Sequence, residues 1–381
     1  MDTQAVIDFV RECYRTSEFI PLHVPTFTGN EQAYVVETIE STYVSSVGAF
    51  VDRFEQMVAD YTGSPRAVAT VNGTAALHAA LIAAGVGRGD FVVTQPLTFV
   101  ATCNALHQLG AEPVFVDVER QSLGLDPDAV AAWLDEHAVV DGAVCRHRAS
   151  GRPIKAVVPM HTYGHPVRLP ELLAVCERWG LRLVEDAAES LGSFYGDRHT
   201  GTFGDFGTLS FNGNKVLTTG GGGMVLCRDS AEADHLKHLT TTAKVPHPYE
   251  FLHDEPGFNY RMPNLNAALG CGQLEGLAAR LASKRALAER YRSFFAGSDY
   301  EFVVEPSYGR SNYWLNAVLC ADRAQRDELL EATNAAGVMT RPAWRLMHRL
   351  PMWADALRGA LPVAEWIEDR LVNLPSSPVE D

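Results

Sequence analysis

The chain reads as an α/β protein with a mostly parallel sheet flanked by helices, followed by a smaller α+β unit. Three observations predict this. From Arg66 onward, short apolar runs alternate with stretches at helical spacing, the pattern of strand–helix–strand crossovers. Two of the runs lead directly into polar groups: Leu181 to Val184 into Glu185-Asp186, and Phe206 to Phe211 into Asn212-Gly213-Asn214-Lys215. In open parallel sheets the carboxyl ends of the strands are where ligands bind. Past about Ala243 the alternation stops, and an irregular aromatic segment leads into one long helical stretch.

In order along the chain, Val6 to Tyr14 predicts an N-terminal helix. FIPLHVPTFTGNE has two prolines and a Thr28-Gly29-Asn30 break, and predicts an extended segment. Asn30 is a candidate cap for a helix from Glu31 to about Thr42. Phe50, Phe54, Met57, Val58 and Tyr61 share a helical face. The alternation proper begins with a strand at Ala67 to Val71, turned by Asn72-Gly73-Thr74 into a helix from Thr74 to Ala84. A strand at Phe91 to Thr94, a helix at Val100 to Leu109 and a strand at Pro113 to Val116 follow. Asp126-Pro127 supplies a cap and a proline at the first position of a helix to about Glu136. Residues 138 to 153 read as a polar excursion. Ala156 to Pro159 predicts a strand, Pro170 to Trp179 a helix, and Gly223 to Cys227 a strand after the glycine run. A helical region from Leu265 to about Phe295 precedes Trp314 to Cys320, Arg323 to Ala336 and Val338 to Thr340, read as strand, helix, strand. These readings divide the chain into residues 1–249, an N-terminal segment with the large α/β unit, and 250–381, the small C-terminal unit.

Composition narrows the function classes. The hydrophobic fraction of 46% is that of a packed globular protein. No apolar run approaches the ~18 residues of a membrane span, and MDTQAVIDFVRECYR has no secretory core, so no membrane partner is expected. The seven cysteines are scattered, without a CxxC pair. They suit free thiols in a reducing compartment, so the cytoplasm is the expected location, and no metal site is expected. A net charge of −15 argues against a nucleic-acid partner, while leaving room for a small anion held by local donors.

Lys215 lies in a turn of small residues ahead of Thr218-Thr219 and four glycines. A lysine so placed can form a Schiff base with an aldehyde cofactor. Asp186, at the end of a buried strand, can pair with a protonated pyridine nitrogen. Together they suggest pyridoxal phosphate. Each residue has a plainer reading, Lys215 as a loop lysine and Asp186 as a helix cap, and it is their combination with Ser210 that carries the suggestion. Gly73 and Thr74 follow a strand and open a helix, where free amides suit a phosphate. The glycine run 220–223 lacks the spacing of a nucleotide-phosphate loop and reads as a tight turn.

EDAAESLG (185–192), SFNGNK (210–215) and TTGGGG (218–223) together resemble the DegT/StrS family, fold-type I pyridoxal phosphate enzymes that aminate keto groups on nucleotide sugars. The resemblance runs from about Phe19 to NLPSSP (373–378). It implies that Lys215 and Asp186 are catalytic and that Gly73, Thr74 and Ser210 hold the cofactor phosphate. Phe99, in LTFVAT, would cover the ring, Ala188 would lie under it, and Glu189 would meet the ring oxygen, which requires a shared proton. Asn259, in GFNYR, would reach the phosphate from a neighbouring subunit, implying a homodimer with shared sites. His161 and Tyr163 in MHTYGHP, Tyr260, Arg261, Trp314, Asn316, Arg341 and His348 are the candidates for the substrate side, as is Trp344.

The activity so implied is an aminotransferase that moves an amino group from glutamate to a nucleotide-linked 4-keto-6-deoxy sugar. FIPLHVPTFTGNE, YVSSVG, NGTAAL and SNYWLNA resemble the enzymes acting on UDP-linked N-acetylhexosamines, in legionaminic acid or bacillosamine-type pathways. A GDP-4-keto-6-deoxyhexose (perosamine-type) or a 3-keto sugar is the alternative. A dehydratase of the same fold would have histidine at position 215, and a cofactor-binding sensor without turnover would lack the acid or the lysine; this chain has both.

Overall fold

The computed structural model describes residues 1–379. Its centre is a seven-stranded sheet in the order Arg66–Thr70, Gly223–Cys227, Phe206–Ser210, Arg182–Asp186, Ile154–Val158, Phe91–Thr94, Glu112–Phe115. From Phe206–Ser210 to Glu112–Phe115 every neighbouring pair is parallel. Gly223–Cys227 runs antiparallel to both of its neighbours. The strands are short and almost wholly buried because helices cover both faces. Alternate residues serve different cores: Val92 packs with Leu77, Leu81 and Phe206, while Phe91 and Val93 pack with Trp133, Leu172 and Trp179.

The helix Gly73–Ala83, GTAALHAALIA, lies on this sheet with Ala75, Ala76, Ala79 and Ala80 buried. Small side chains let its backbone approach the strands closely. Asn72 caps it, its Oδ1 accepting from the Ala75 amide at 2.8 Å. Helix Pro127–His137 begins as its sequence predicts, with Asp126 accepting from the Asp128 amide and Pro127 at the first position. Asn30 holds the N-cap position of helix Glu31–Glu40, but its side chain makes no capping bond and instead donates to Glu275 at 2.8 Å. Residues 138–153 contain a regular hairpin, Ala138–Asp141 against Val144–His147, where the sequence reading has only a polar excursion.

Toward the C-terminus a four-stranded antiparallel sheet runs Glu301–Phe302, Asn316–Leu319, Leu371–Leu374, Arg341–Pro342. Its core takes in the first helix of the chain, Thr3–Tyr14: Val6, Ile7 and Val10 share a cluster with Leu287, Tyr291, Val318 and Val372. The packing thus crosses the division at 249/250, because the apolar stripe of that helix is buried against residues near the other end of the chain. The long helical region is two helices, Asn264–Glu275 and Leu277–Phe295, broken at Gly276. The first packs against helices Glu31–Glu40 and Ala49–Thr62. Among the described residues no helix is long and apolar enough to cross a membrane, and all seven cysteines are free and buried.

Candidate active site

The carboxyl ends of strands Ile154–Val158, Arg182–Asp186 and Phe206–Ser210 open on one cavity of about 230 Å³, joined by the N-termini of helices Gly73–Ala83 and Val100–Leu109. Gly73, Thr74, Phe99, Asp186, Ala188, Glu189, Ser210, Lys215 and Trp314, chosen from sequence, all line it. So do the sequence candidate Trp344 and, not chosen from sequence, Met160, Asn212, Asn214 and two residues of the glycine run, Gly221 and Gly222.

Asp186 is held from three sides. Its amide donates to the Pro159 carbonyl at 2.9 Å, its Oδ2 accepts from Thr102 Oγ1 at 2.8 Å, and its Oδ1 accepts from the Ala188 amide at 3.2 Å. Burial raises its pKa, and the Thr102 hydroxyl, the Ala188 amide and the Lys215 charge oppose that rise. A cationic partner in the cavity would supply the missing compensation. Thr102 is a contact that the sequence reading missed. Its signal was position: three residues after Phe99 on helix Val100–Leu109, it presents its hydroxyl on the same face.

Lys215 is fixed by a turn in which its amide donates to the Asn212 carbonyl at 3.0 Å. Its Nζ donates to Glu189 Oε1 at 3.2 Å and sits 3.8 Å from the centre of the Trp314 ring. Trp314 also donates from Nε1 to the Asn214 carbonyl at 2.7 Å, so one indole touches both the amine and the turn that carries it. The other carboxylate oxygen of Glu189 accepts from the Tyr163 amide at 2.9 Å. Burial pushes Glu189 up to about 7, against the pull of Lys215.

At the other end of the cavity, Gly73 and Ser210 meet. A Cβ at residue 73 would lie 2.8 Å from Ser210 Cβ and 3.0 Å from its Oγ, so only glycine allows this approach. The Asn72 cap takes the Ala75 amide, while the amides of Gly73 and Thr74 have no partner among the described residues. Two free amides at a helix N-terminus and a serine hydroxyl form a cradle for a phosphate. A flat ring between this cradle and Lys215 would meet Asp186, Ala188 and the half-exposed Phe99, so the donor set fits pyridoxal phosphate.

Other sequence candidates lie elsewhere. His161 is fully buried away from the cavity: Nε2 is 3.0 Å from Glu185 Oε2 and Nδ1 accepts from the Val167 amide at 3.3 Å. Glu185 also accepts from the amides of Gly201, Phe203 and Gly204, so this pair braces a loop under the site. Tyr163 is buried with its ring 4.8 Å from Trp344, behind the wall that Trp344 forms. Asn316 is buried and donates to Ser376 Oγ, and His348 packs 3.6 Å from Glu365; neither lines the cavity. Arg341 lines an adjoining cavity of about 640 Å³ that shares Asn214, Trp314 and Trp344 with the first. Asn259, Tyr260 and Arg261 run beside the strand that feeds the cradle: the Tyr260 carbonyl accepts from the Val71 amide at 2.8 Å, and Thr70 bridges Arg261. Asn259 is exposed, its Oδ1 accepting from Arg261 Nε at 3.1 Å.

Comparison with known proteins matches the chain to a family profile. That of the DegT/DnrJ/EryC1/StrS aminotransferase family spans residues 25–379. The chain is 35% identical to a Bacillus subtilis (strain 168) protein, EpsN, named as a pyridoxal phosphate-dependent aminotransferase, over 89% of this chain and 84% of that one. It is 34% identical to the GDP-perosamine synthase of Escherichia coli O157:H7, over 95% of this chain and 94% of that one. Among solved structures, the aminotransferase TlmJ from Streptoalloteichus hindustanus superposes with a TM-score of 0.84 at 29% identity, covering 94% of this chain and 93% of its own.

Proposed function

Since this chain belongs to the DegT/DnrJ/EryC1/StrS aminotransferase family, and is therefore a pyridoxal phosphate-dependent sugar aminotransferase, we propose that it aminates the 4-keto group of a GDP-linked 6-deoxyhexose, with glutamate as donor. One observation carries the choice of sugar: the likeness to a GDP-perosamine synthase extends over 95% of the chain. This moves the choice away from the UDP-linked N-acetylhexosamine that the short motifs resemble, because a likeness over the whole chain outweighs one over short segments.

When bound, pyridoxal phosphate supplies an electron sink and carries the amino group from donor to acceptor. The amides of Gly73 and Thr74 and the hydroxyl of Ser210 hold its phosphate. Lys215 would anchor the cofactor, and its Nζ, at the cavity wall, would be the group that moves a proton there. Glu189, in contact with that Nζ, keeps the amine directed into the cavity. Asp186, its carboxylate fixed by Thr102 and Ala188, would pair with the protonated ring nitrogen. Phe99 and Ala188, which line the cavity, would contact the ring, and Trp314 packs against the Lys215 amine. Arg341 lines the adjoining cavity, which supports assigning it to an anionic part of the substrate. Exposed Asn259 is assigned to the site of a second subunit, making the active unit a homodimer.

Glutamate and a panel of GDP- and UDP-linked 4-keto-6-deoxy sugars, with products identified by mass and NMR, test the substrate. The GDP-linked hexose is expected to give the higher kcat/KM. A higher value for the UDP-linked N-acetyl sugar overturns the nucleotide and sugar assignment and leaves the aminotransferase in place.

A further inference from the structure

The buried face of helix Leu277–Phe295 is a stripe of Leu277, Leu287, Ala288, Tyr291 and Phe295, and into it the sequence sets a lysine, Lys284. Its side chain is fully buried. Among the described residues no carboxylate lies within salt-bridge distance of Nζ. Removing an ammonium from water without a counter-ion is costly, and such a lysine persists where its donors are needed. Lys284 Nζ donates to two main-chain carbonyls, 3.1 Å to that of Trp314 and 2.5 Å to that of Ser376. These sit just beyond the paired ends of strands Asn316–Leu319 and Leu371–Leu374, where the ladder stops at Asn316 and Leu374. The chain leaves the sheet there, and Trp314 carries its indole to the cavity.

We propose that Lys284 is a positioning residue for the reaction: it holds the Trp314 backbone so that the indole stays against the amine of Lys215. The proposal rests on the reading of Lys215 as the cofactor-bearing lysine. The linkage is continuous. Lys284 binds the Trp314 carbonyl, the Trp314 ring lies 3.8 Å from Lys215 Nζ, and Trp314 Nε1 binds the Asn214 carbonyl next to Lys215. Burial lowers the Lys284 pKa to about 7 by favouring the neutral amine, which still has N–H groups to donate to the two carbonyls. Tyr291, two turns along the same face, donates to the Pro375 carbonyl at 3.0 Å. It secures the neighbouring segment without touching Trp314, and so serves as a matched control.

The test uses the full-length protein, stripped of cofactor and then mixed with pyridoxal phosphate. The rate at which a borohydride-fixed bond to Lys215 forms is measured by peptide mapping, per folded molecule. Lys284→Met and Trp314→Phe are each expected to slow this about ten-fold, the scale of one desolvated cation–π contact. The double variant should be no slower than either single one, and Tyr291→Phe should match the unaltered protein. Four results overturn the proposal: a normal rate in Trp314→Phe, a normal rate in folded Lys284→Met, additive losses in the double variant, or an equal loss in Tyr291→Phe. The first of these decides even where Lys284→Met does not fold. A label on a peptide without Lys215 in the unaltered protein overturns the assignment of Lys215 itself, a separate outcome from equal rates on the correct peptide.

Discussion

Replacing Glu189 by glutamine removes an ionisation while keeping the shape of the side chain. Its carboxyl is buried, and the fold raises it from an ordinary 4.5 to about 7 even with the Lys215 ammonium 3.2 Å away. At 1.36 kcal/mol per pH unit, this corresponds to about 3 kcal/mol. The folded state holds the proton more tightly than the unfolded chain does. Its contribution is therefore fully present below about pH 4.5 and lost as pH rises through about 7. Glutamine has no such loss. Cofactor-free Glu189→Gln should be more stable than the unaltered protein by about 3 kcal/mol at pH 8.5, by about 2 kcal/mol at pH 6, and by nothing near pH 4.5. Urea unfolding followed by fluorescence measures the difference at each pH. A glutamine variant that is less stable at pH 8.5 would refute the reasoning, since it would mean that ionised Glu189 and Lys215 stabilise the fold as a pair. The same variant should still accept pyridoxal phosphate, because its amide can donate to the ring oxygen.

Asp186→Asn should slow the glutamate half-reaction by orders of magnitude, read from the cofactor's absorbance, while phosphate contacts still retain cofactor; near-normal turnover would show that the ring nitrogen has another partner. Inactive Lys215→Ala and Asn259→Ala proteins, mixed under conditions of subunit exchange, should regain activity, since one site per mixed dimer has both residues; confirmed exchange without recovery would place Asn259 outside the site. Arg341→Ala should raise KM for the sugar nucleotide at least ten-fold and leave the glutamate half-reaction unchanged, because a guanidinium–phosphate contact is worth ~1.5–3 kcal/mol. Arg261→Ala should do the same if the shared-site reading holds, and steady-state kinetics with each substrate varied in turn checks both.

What was legible in the sequence was local. An apolar run ending in an acid marked Asp186 as a strand end, and Asn72-Gly73-Thr74 marked a strand-to-helix turn with its cap. The α/β order and the small-residue turn carrying Lys215 followed from the same short-range rules. What was not legible depended on partners distant in the chain. His161 and Tyr163 sit in a loop at a strand end, as ligand-binding residues do, yet Glu185 and Trp344 take up their side chains. Nothing near Lys284 in sequence shows that its donors are needed by residues 30 and 92 positions away. Helix Thr3–Tyr14 carries an apolar stripe without any sign that Val318 and Val372 will cover it. The break at Gly276 and the hairpin at 138–147 were ambiguous locally, since a lone glycine is tolerated in a helix and a short polar hairpin has little apolar alternation.

Strand Gly223–Cys227 lies between Arg66–Thr70 and Phe206–Ser210, with Thr70, Gly223 and Ser210 in one row across the sheet. A Cβ at residue 223 would lie 2.4 Å from the Asn72 carbonyl oxygen, so the cap of helix Gly73–Ala83 rests directly on this strand. The two sides of the phosphate cradle are therefore far apart in the chain, and become neighbours only when the one antiparallel strand has slotted in. Contacts of such sequence separation form late in folding, because the loop between them must first be closed. A phosphate-bearing cofactor can bind tightly only after that step, and by binding it draws the equilibrium toward the completed sheet. Bound cofactor should then raise the stability of the completed sheet in step with its concentration.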